Sequence, residues 1–166
     1  MNARRDAMPA NPRGLKLLAL DVDGTLTDGG IYVFDSGLQC RKFNAKDGLG
    51  VKRAIAGGFE IGMISHSLVD GAIVQRAKMM GVTRVYVGQA PKLEVLQRWC
   101  EELGIGLTEV AYIGDDVNDL PVLEAVGLAA CPADAMPRVI EACEVVLDKR
   151  GGEGCVREFL ERFTLL

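Results

Sequence analysis

The chain has 166 residues, 49% of them hydrophobic and 25% charged, with a formal net charge of −4 at pH 7. That is the profile of one globular domain, long enough to bury roughly 70% of its unfolded surface, and its acidic balance without a basic stripe argues against a nucleic-acid partner. Five cysteines, at 40, 100, 131, 143 and 155, form no CxxC pair and are accompanied by a single histidine, His66, which speaks against structural zinc and for reduced core thiols in a cytoplasmic protein.

Residues 1–14 carry charge and prolines without an apolar core and are predicted to be a disordered tail rather than a secretory signal. One domain is expected over 15–166. No apolar run reaches the ~18 residues of a membrane span. The apolar run 15–20 stops at Asp21 and suits a strand buried on both faces, with Asp23 and Gly24 in the turn beyond it. Two β-prone runs, 31–34 and 38–43, flank Asp35-Ser36-Gly37 and predict a hairpin insertion over about 30–43. Alone it would be marginal in water, so it is expected to pack on something, another subunit being one candidate.

Then the βα rhythm resumes. A helix is predicted over 46–57, a strand over 59–64 ending at Ser65, a helix over 67–80 and a strand over 83–87. Pro91 and Lys92 open a helix that Gly104 ends. A strand over 109–113 runs into Gly-Asp-Asp-Val-Asn-Asp, and the remainder reads as helix 120–126, strand 128–131, helix 135–142, strand 145–147, a flexible loop 150–154 and a closing helix 155–163. The fold class is α/β, a Rossmann-like parallel sheet with helices on both faces.

In such a sheet the carboxyl ends of the strands share one edge, where ligands bind. Asp21, Asp23, Ser65, Asp115, Asp116 and Asp119 each follow a strand, and Lys92 lies slightly further along. Clustered carboxylates repel one another unless a cation or a shared proton intervenes, and they suit a hard ion such as Mg2+. The hydroxyl, the ammonium and backbone N–H groups suit a phosphate, so the inventory fits phosphoryl transfer. Taken singly, each has a structural explanation: Ser65 as a helix cap, Lys92 as a first-turn lysine, Asp115–Asp119 as a helix-dipole cluster.

DVDGTLTDG, a serine after the second strand, Pro-Lys opening a helix, and GDDVNDLP together resemble the four motifs of the haloacid dehalogenase superfamily of phosphohydrolases. The hairpin, KFNAKDGLGV and the closing RGGEGCVREF are similar to its capless branch, the 3-deoxy-manno-octulosonate 8-phosphate phosphatases and the related nonulosonate 9-phosphate phosphatases. The resemblance implies a core without a cap domain. Asp21 becomes the nucleophile and Asp23 the acid/base. Ser65 and Lys92 become phosphate binders. Asp21, the Asp23 carbonyl and Asp115 become Mg2+ ligands, supported by Asp116 and Asp119. It further implies a homotetramer joined through hairpins, and a sugar-acid phosphate as substrate.

One position departs from that pattern. Octulosonate phosphatases usually continue the second motif into Gly-Arg, whereas here it reads Ser65-His66-Ser67. Lys46, His66 and Arg150, with Lys42, are the candidate substrate contacts that would supply charge instead. A nonulosonate 9-phosphate is the alternative substrate. A non-catalytic oligomerisation or regulatory module is the alternative of another class, disfavoured because Asp21, Asp23, Lys92 and Asp115 are all retained.

Overall fold

The computed structural model describes residues 14–163; apart from Gly14, the predicted tail lies outside them. At its centre is β1 (Leu17–Asp21), with all five residues buried. The chain continues through β2 (Thr27–Val33), β3 (Gln39–Phe43), α1 (Ala45–Ala56), β4 (Glu60–Ser65), α2 (Gly71–Met80), β5 (Arg84–Val87) and α3 (Lys92–Leu103). Then come β6 (Val110–Ile113), α4 (Leu120–Leu123), β7 (Leu128–Cys131), α5 (Pro137–Ala142), β8 (Val145–Val146) and α6 (Cys155–Arg162). Six strands form one sheet in the order β5-β4-β1-β6-β7-β8, and every neighbouring pair is parallel.

Side chains alternate across a strand, and β1 uses both faces. Leu18 and Leu20 pack with Val51 of α1, Ile73 of α2 and Phe159 of α6. Leu17 and Ala19 pack with Leu96 and Trp99 of α3, Val122 of α4 and Val139 of α5. A strand covered on both sides cannot alternate with polar residues, which is why the run reads as continuously apolar. The Trp99 ring lies over Gly62 of β4, where a Cβ would come within 2.4 Å of the indole. Trp99 is therefore core.

From β1 the chain builds outward to β4 and β5 on one side, then returns to place β6 on the other. That reversal opens a crevice at the carboxyl end of β1. Among the described residues the βα alternation is interrupted by nothing larger than the hairpin of β2 and β3, antiparallel with a register shift between Thr27 and Ile31. No cap domain is present among them.

Several boundaries differ from the sequence expectation. Asp21 is the last residue of β1 rather than the first beyond it. The helix predicted over 67–80 starts only at Gly71, because the Ser67 hydroxyl folds onto its own chain, donating to Val69 O at 2.8 Å and accepting from Val69 N at 3.1 Å. The glycines of 150–154 are not a flexible loop. Gly151, Gly152 and Gly154 are buried, and a Cβ on Gly151 would sit 1.8 Å from the Gly24 carbonyl oxygen. Glycine here permits backbone to lie on backbone, and the segment buttresses the turn after β1.

Candidate functional site

The turn after β1 is built for close approach. Gly24 has φ +97°, a conformation that favours glycine, and a Cβ on it would meet Asp115 Oδ2 at 2.0 Å. The turn and the Asp115 carboxylate therefore share one small space. Gly24 N–H is held by the Thr27 hydroxyl at 3.2 Å.

Lys92, the first residue of α3, reaches into the sheet edge with its side chain 1% exposed. Its Nζ lies 2.5 Å from Asp21 Oδ1 and 2.7 Å from Asp119 Oδ1. Asp119 is fully buried. Its Oδ1 also accepts from the Tyr112 hydroxyl at 2.6 Å, and its Oδ2 accepts the N–H groups of Asp115 and Asp116 at 3.1 and 3.3 Å. Asp119 thus fixes both the ammonium and the loop that carries Asp115. Burial, with Asp119 and Asp115 close by, pushes the Asp21 carboxyl well above the ordinary range against the pull of Lys92. Burial likewise pushes Asp115 up to about 6, opposed by its hydrogen bond with Asp21. For Lys92 burial pulls downward, but Asp21 and Asp119 outweigh it and hold the ammonium above the usual lysine range.

Opposite lies the end of β4. Ser65 is buried, and its Oγ accepts the Ser67 N–H at 3.0 Å. His66 Nε2 contacts the Ala90 carbonyl at 2.9 Å, tying this loop to the one that leads into Lys92. Arg41, from β3, closes the third side: its Nε meets Asp23 Oδ1 at 2.6 Å and its Nη2 meets Ser67 Oγ at 2.8 Å. A cavity of about 550 Å3 results, lined among others by Asp21, Asp23, Arg41, Ser65, His66 and Ser67, within the roughly 300–1,000 Å3 of small-molecule sites.

The predicted residues separate clearly. Asp21, Asp23, Ser65, Lys92, Asp115 and Asp119 converge. Asp116 does not join them in the interior. It is exposed at the cavity rim, with Oδ1 capping Val117 N at 2.6 Å, so of the two only Asp119 is buried. Of the candidate substrate contacts only His66 lines the cavity. Lys46 is exposed on the first turn of α1, Arg150 is 65% exposed beside Asp134 at 3.4 Å, and Lys42 pairs with Asp28 at 2.7 Å. Sequence reasoning missed Tyr112 and Arg41. For Tyr112 the available signal was a hydroxyl-bearing aromatic inside an apolar strand; for Arg41, beside Lys42 in an alternating hairpin strand, the sequence carries none.

Whether the cluster fits a hard cation is decided by charge and donor type. Oxygens of Asp21, Asp115 and Asp119 lie within 4.8 Å of one another. Three carboxylates against the single ammonium of Lys92 leave negative charge uncompensated, and all the donors are hard oxygens, as Mg2+ requires. Because both oxygens of Asp119 are already engaged, the carboxylates free to ligate are Asp21 and Asp115.

A haloacid dehalogenase-like hydrolase family profile matches residues 64–159. The 3-deoxy-D-manno-octulosonate 8-phosphate phosphatase of Escherichia coli K12 is 38% identical over 156 residues, covering 94% of this chain and 82% of its own. The crystal structure of the phosphatase of that name from Yersinia pestis superposes with TM-score 0.88 at 34% identity, covering 94% of this chain and 86% of its own. The phosphatase from Moraxella catarrhalis, solved with a magnesium ion, a phosphate ion and a KDO molecule, gives TM-score 0.87 at 31% identity, covering 93% and 90%.

Proposed function

The chain belongs to the haloacid dehalogenase-like hydrolase family, and on that premise we propose that residues 15–166 form one domain that hydrolyses a sugar-acid phosphate of the 3-deoxy-D-manno-octulosonate 8-phosphate type, with Mg2+ and through an aspartyl-phosphate. The observation that carries this reading is Asp21 at the strand end, 2.5 Å from Lys92 Nζ and with a carboxylate oxygen within 4.8 Å of one from Asp115.

In the first half-reaction an Asp21 oxygen attacks phosphorus, the bond from phosphorus to the ester oxygen breaks, and Asp23 gives its proton to that oxygen. In the second, the Asp23 carboxylate takes a proton from water. The water oxygen attacks phosphorus and the bond to Asp21 breaks, releasing phosphate and restoring both carboxyl groups. Lys92 holds Asp21 in place and offers positive charge to the phosphoryl oxygens, and the Ser65 hydroxyl offers them a hydrogen bond. Mg2+ would be held by the Asp21 and Asp115 carboxylates and the Asp23 carbonyl, and supplies further positive charge against those oxygens. The buried lattice of Lys92, Asp119 and Tyr112 is assembled in advance, so no reorganisation is needed as charge develops.

The test is hydrolysis of a panel of phosphomonoesters, ranked by kcat/KM, with octulosonate 8-phosphate set against nonulosonate 9-phosphates. The nonulosonate reading is kept because Ser67 brings no charge to the second motif. Asp21→Asn is expected to lower kcat by roughly 10^4-fold or more, and a chelator should abolish turnover until Mg2+ is restored. Full activity in Asp21→Asn would end the aspartyl-phosphate assignment. Activity in neither protein would favour the non-catalytic module.

The hairpin leaves Ile31, Tyr32, Val33, Phe34 and Leu38 46% to 69% exposed. An apolar patch of that kind on a two-stranded ribbon supports assembly into a homotetramer through the hairpins. Light scattering on Tyr32→Ser/Leu38→Ser should then report a smaller species. No helix among the described residues is long and apolar enough to cross a membrane, and all five cysteines are free. The free thiols support a cytoplasmic enzyme.

A further inference from the structure

We infer that Arg41 is a positioning residue that aims the Asp23 carboxylic acid at the leaving oxygen. The inference rests on the reading of Asp23 as acid/base and adds to it the group that sets its direction.

Arg41 is the one buried residue of β3, 8% exposed overall with a side chain 1% exposed. A hairpin strand would ordinarily hold its arginines in water. Here the guanidinium is turned inward, 18 residues from Asp23 in sequence, and grips that carboxylate asymmetrically. Nε meets Oδ1 at 2.6 Å, while Nη2 stands 3.5 Å from Oδ2. One Asp23 oxygen is thus held and the other is left available to carry a proton. Nη2 spends its short bond on Ser67 Oγ at 2.8 Å, and the Ser67 N–H in turn bonds Ser65 Oγ at 3.0 Å. The acid/base, the hairpin and the phosphate-binding serine are joined in one chain of hydrogen bonds. Nη1 is buried with no partner, a desolvation cost that a hairpin anchor alone would not need to carry.

Leaving-group dependence separates aim from architecture. Through the step that expels the leaving group, kcat/KM depends on general acid help when that group is an alkoxide and little when it is p-nitrophenolate. In Arg41→Gln, kcat/KM for the best sugar phosphate of the panel is expected to fall roughly 10^2-fold, and kcat/KM for p-nitrophenyl phosphate by less than about 3-fold. Arg41→Lys, which keeps a cation for Asp23, should recover part of the loss. Ser67→Ala should show the same selectivity, more weakly, and covers the case in which the Arg41 variants fail to fold. Equal losses on both esters, or no loss on the sugar phosphate, would overturn the inference. Asp23→Asn is the control. If it is selective and Arg41→Gln is not, the inference fails alone. If Asp23→Asn strikes both esters alike, the acid assignment fails and takes this one with it.

Discussion

At the sheet edge Asp119 is buried with its acceptor capacity spent, whereas at the contact between α1 and α6 Asp47 is buried with half of its capacity idle. Asp119 accepts from Lys92, Tyr112 and two backbone N–H groups. Asp47 Oδ1 accepts the Arg157 N–H at 2.8 Å, while Oδ2 has no partner. Gly154, at the N-cap of α6, has no side chain to offer, so Asp47 supplies the cap from a neighbouring helix. The first carboxylate is hydrogen-bonded to a fixed cation, the second to the N-terminus of a helix, with the Arg76 guanidinium acting on it only through space. A full charge placed within hydrogen-bond distance compensates ionisation far better than a helix end does. The difference is the one between a carboxylate whose every acceptor position braces the site and one that only has to hold a joint between two helices.

The strongest way to break this comparison is to remove the fixed lattice. Asp119→Ala leaves the Tyr112 hydroxyl and the N–H groups of residues 115 and 116 without their acceptor, and Lys92 with Asp21 alone. Breaking one partner of a buried charged network costs about 3–5 kcal/mol. Urea unfolding is expected to show a loss of that size, together with near-complete loss of phosphatase activity. A loss below about 1 kcal/mol would mean that Asp119 is not the strut.

The second effect is a dependence on pH that belongs to the joint. Burial raises the Asp47 carboxyl to about 6, from the ordinary 3.8 of an exposed aspartate. The folded protein therefore binds this proton more tightly than the unfolded chain does. The stability that Asp47 contributes is greatest below about pH 4 and is lost as pH rises through about 6. A difference near two pH units corresponds to about 3 kcal/mol at most. Asp47→Asn keeps an acceptor for α6 and cannot ionise. Between pH 4 and pH 7.5 the wild type should lose up to about 3 kcal/mol relative to it in paired urea titrations. Parallel curves would show that the helix end stabilises the charge fully.

The two sites also differ in how far they can be read from the chain. The sheet is legible because β1, β4 and β6 are apolar runs that end at polar residues, and Asp21, Ser65 and Asp115 stand where those runs stop. Lys92 is legible through Pro91, which marks a helix start. What escapes is whatever acts across elements. Arg41 sits in an alternating hairpin strand, where an inward and an outward cation look the same. Asp47 looks like any acid in a first helical turn, yet the turn it caps belongs to α6. The Gly151-Gly152 pair looks flexible because glycine signals freedom locally, whereas here it permits the backbone of one loop to rest on that of another. Asp116 and Asp119 are equivalent in a list of acids and are told apart only by which of them the 3-10 turn after β6 aims inward.

The smallest effect sharpens the comparison most, because it tests how redundant the lattice is. Tyr112 is fully buried in β6, and its hydroxyl shares Asp119 Oδ1 with Lys92. Burial and the neighbouring Asp119 hold the phenol well above its ordinary range. Tyr112→Phe deletes that donor and leaves a ring of nearly the same shape, and a hydrogen bond to a charged group is worth about 1.5–3 kcal/mol. Lys92 still occupies the same oxygen, so the expected loss of stability lies at the low end, about 1.5 kcal/mol. Turnover should fall only a few-fold. A loss as large as that of Asp119→Ala would show that the ammonium cannot hold Asp119 without the phenol, and the lattice would then be one cooperative unit rather than a cation with auxiliary donors.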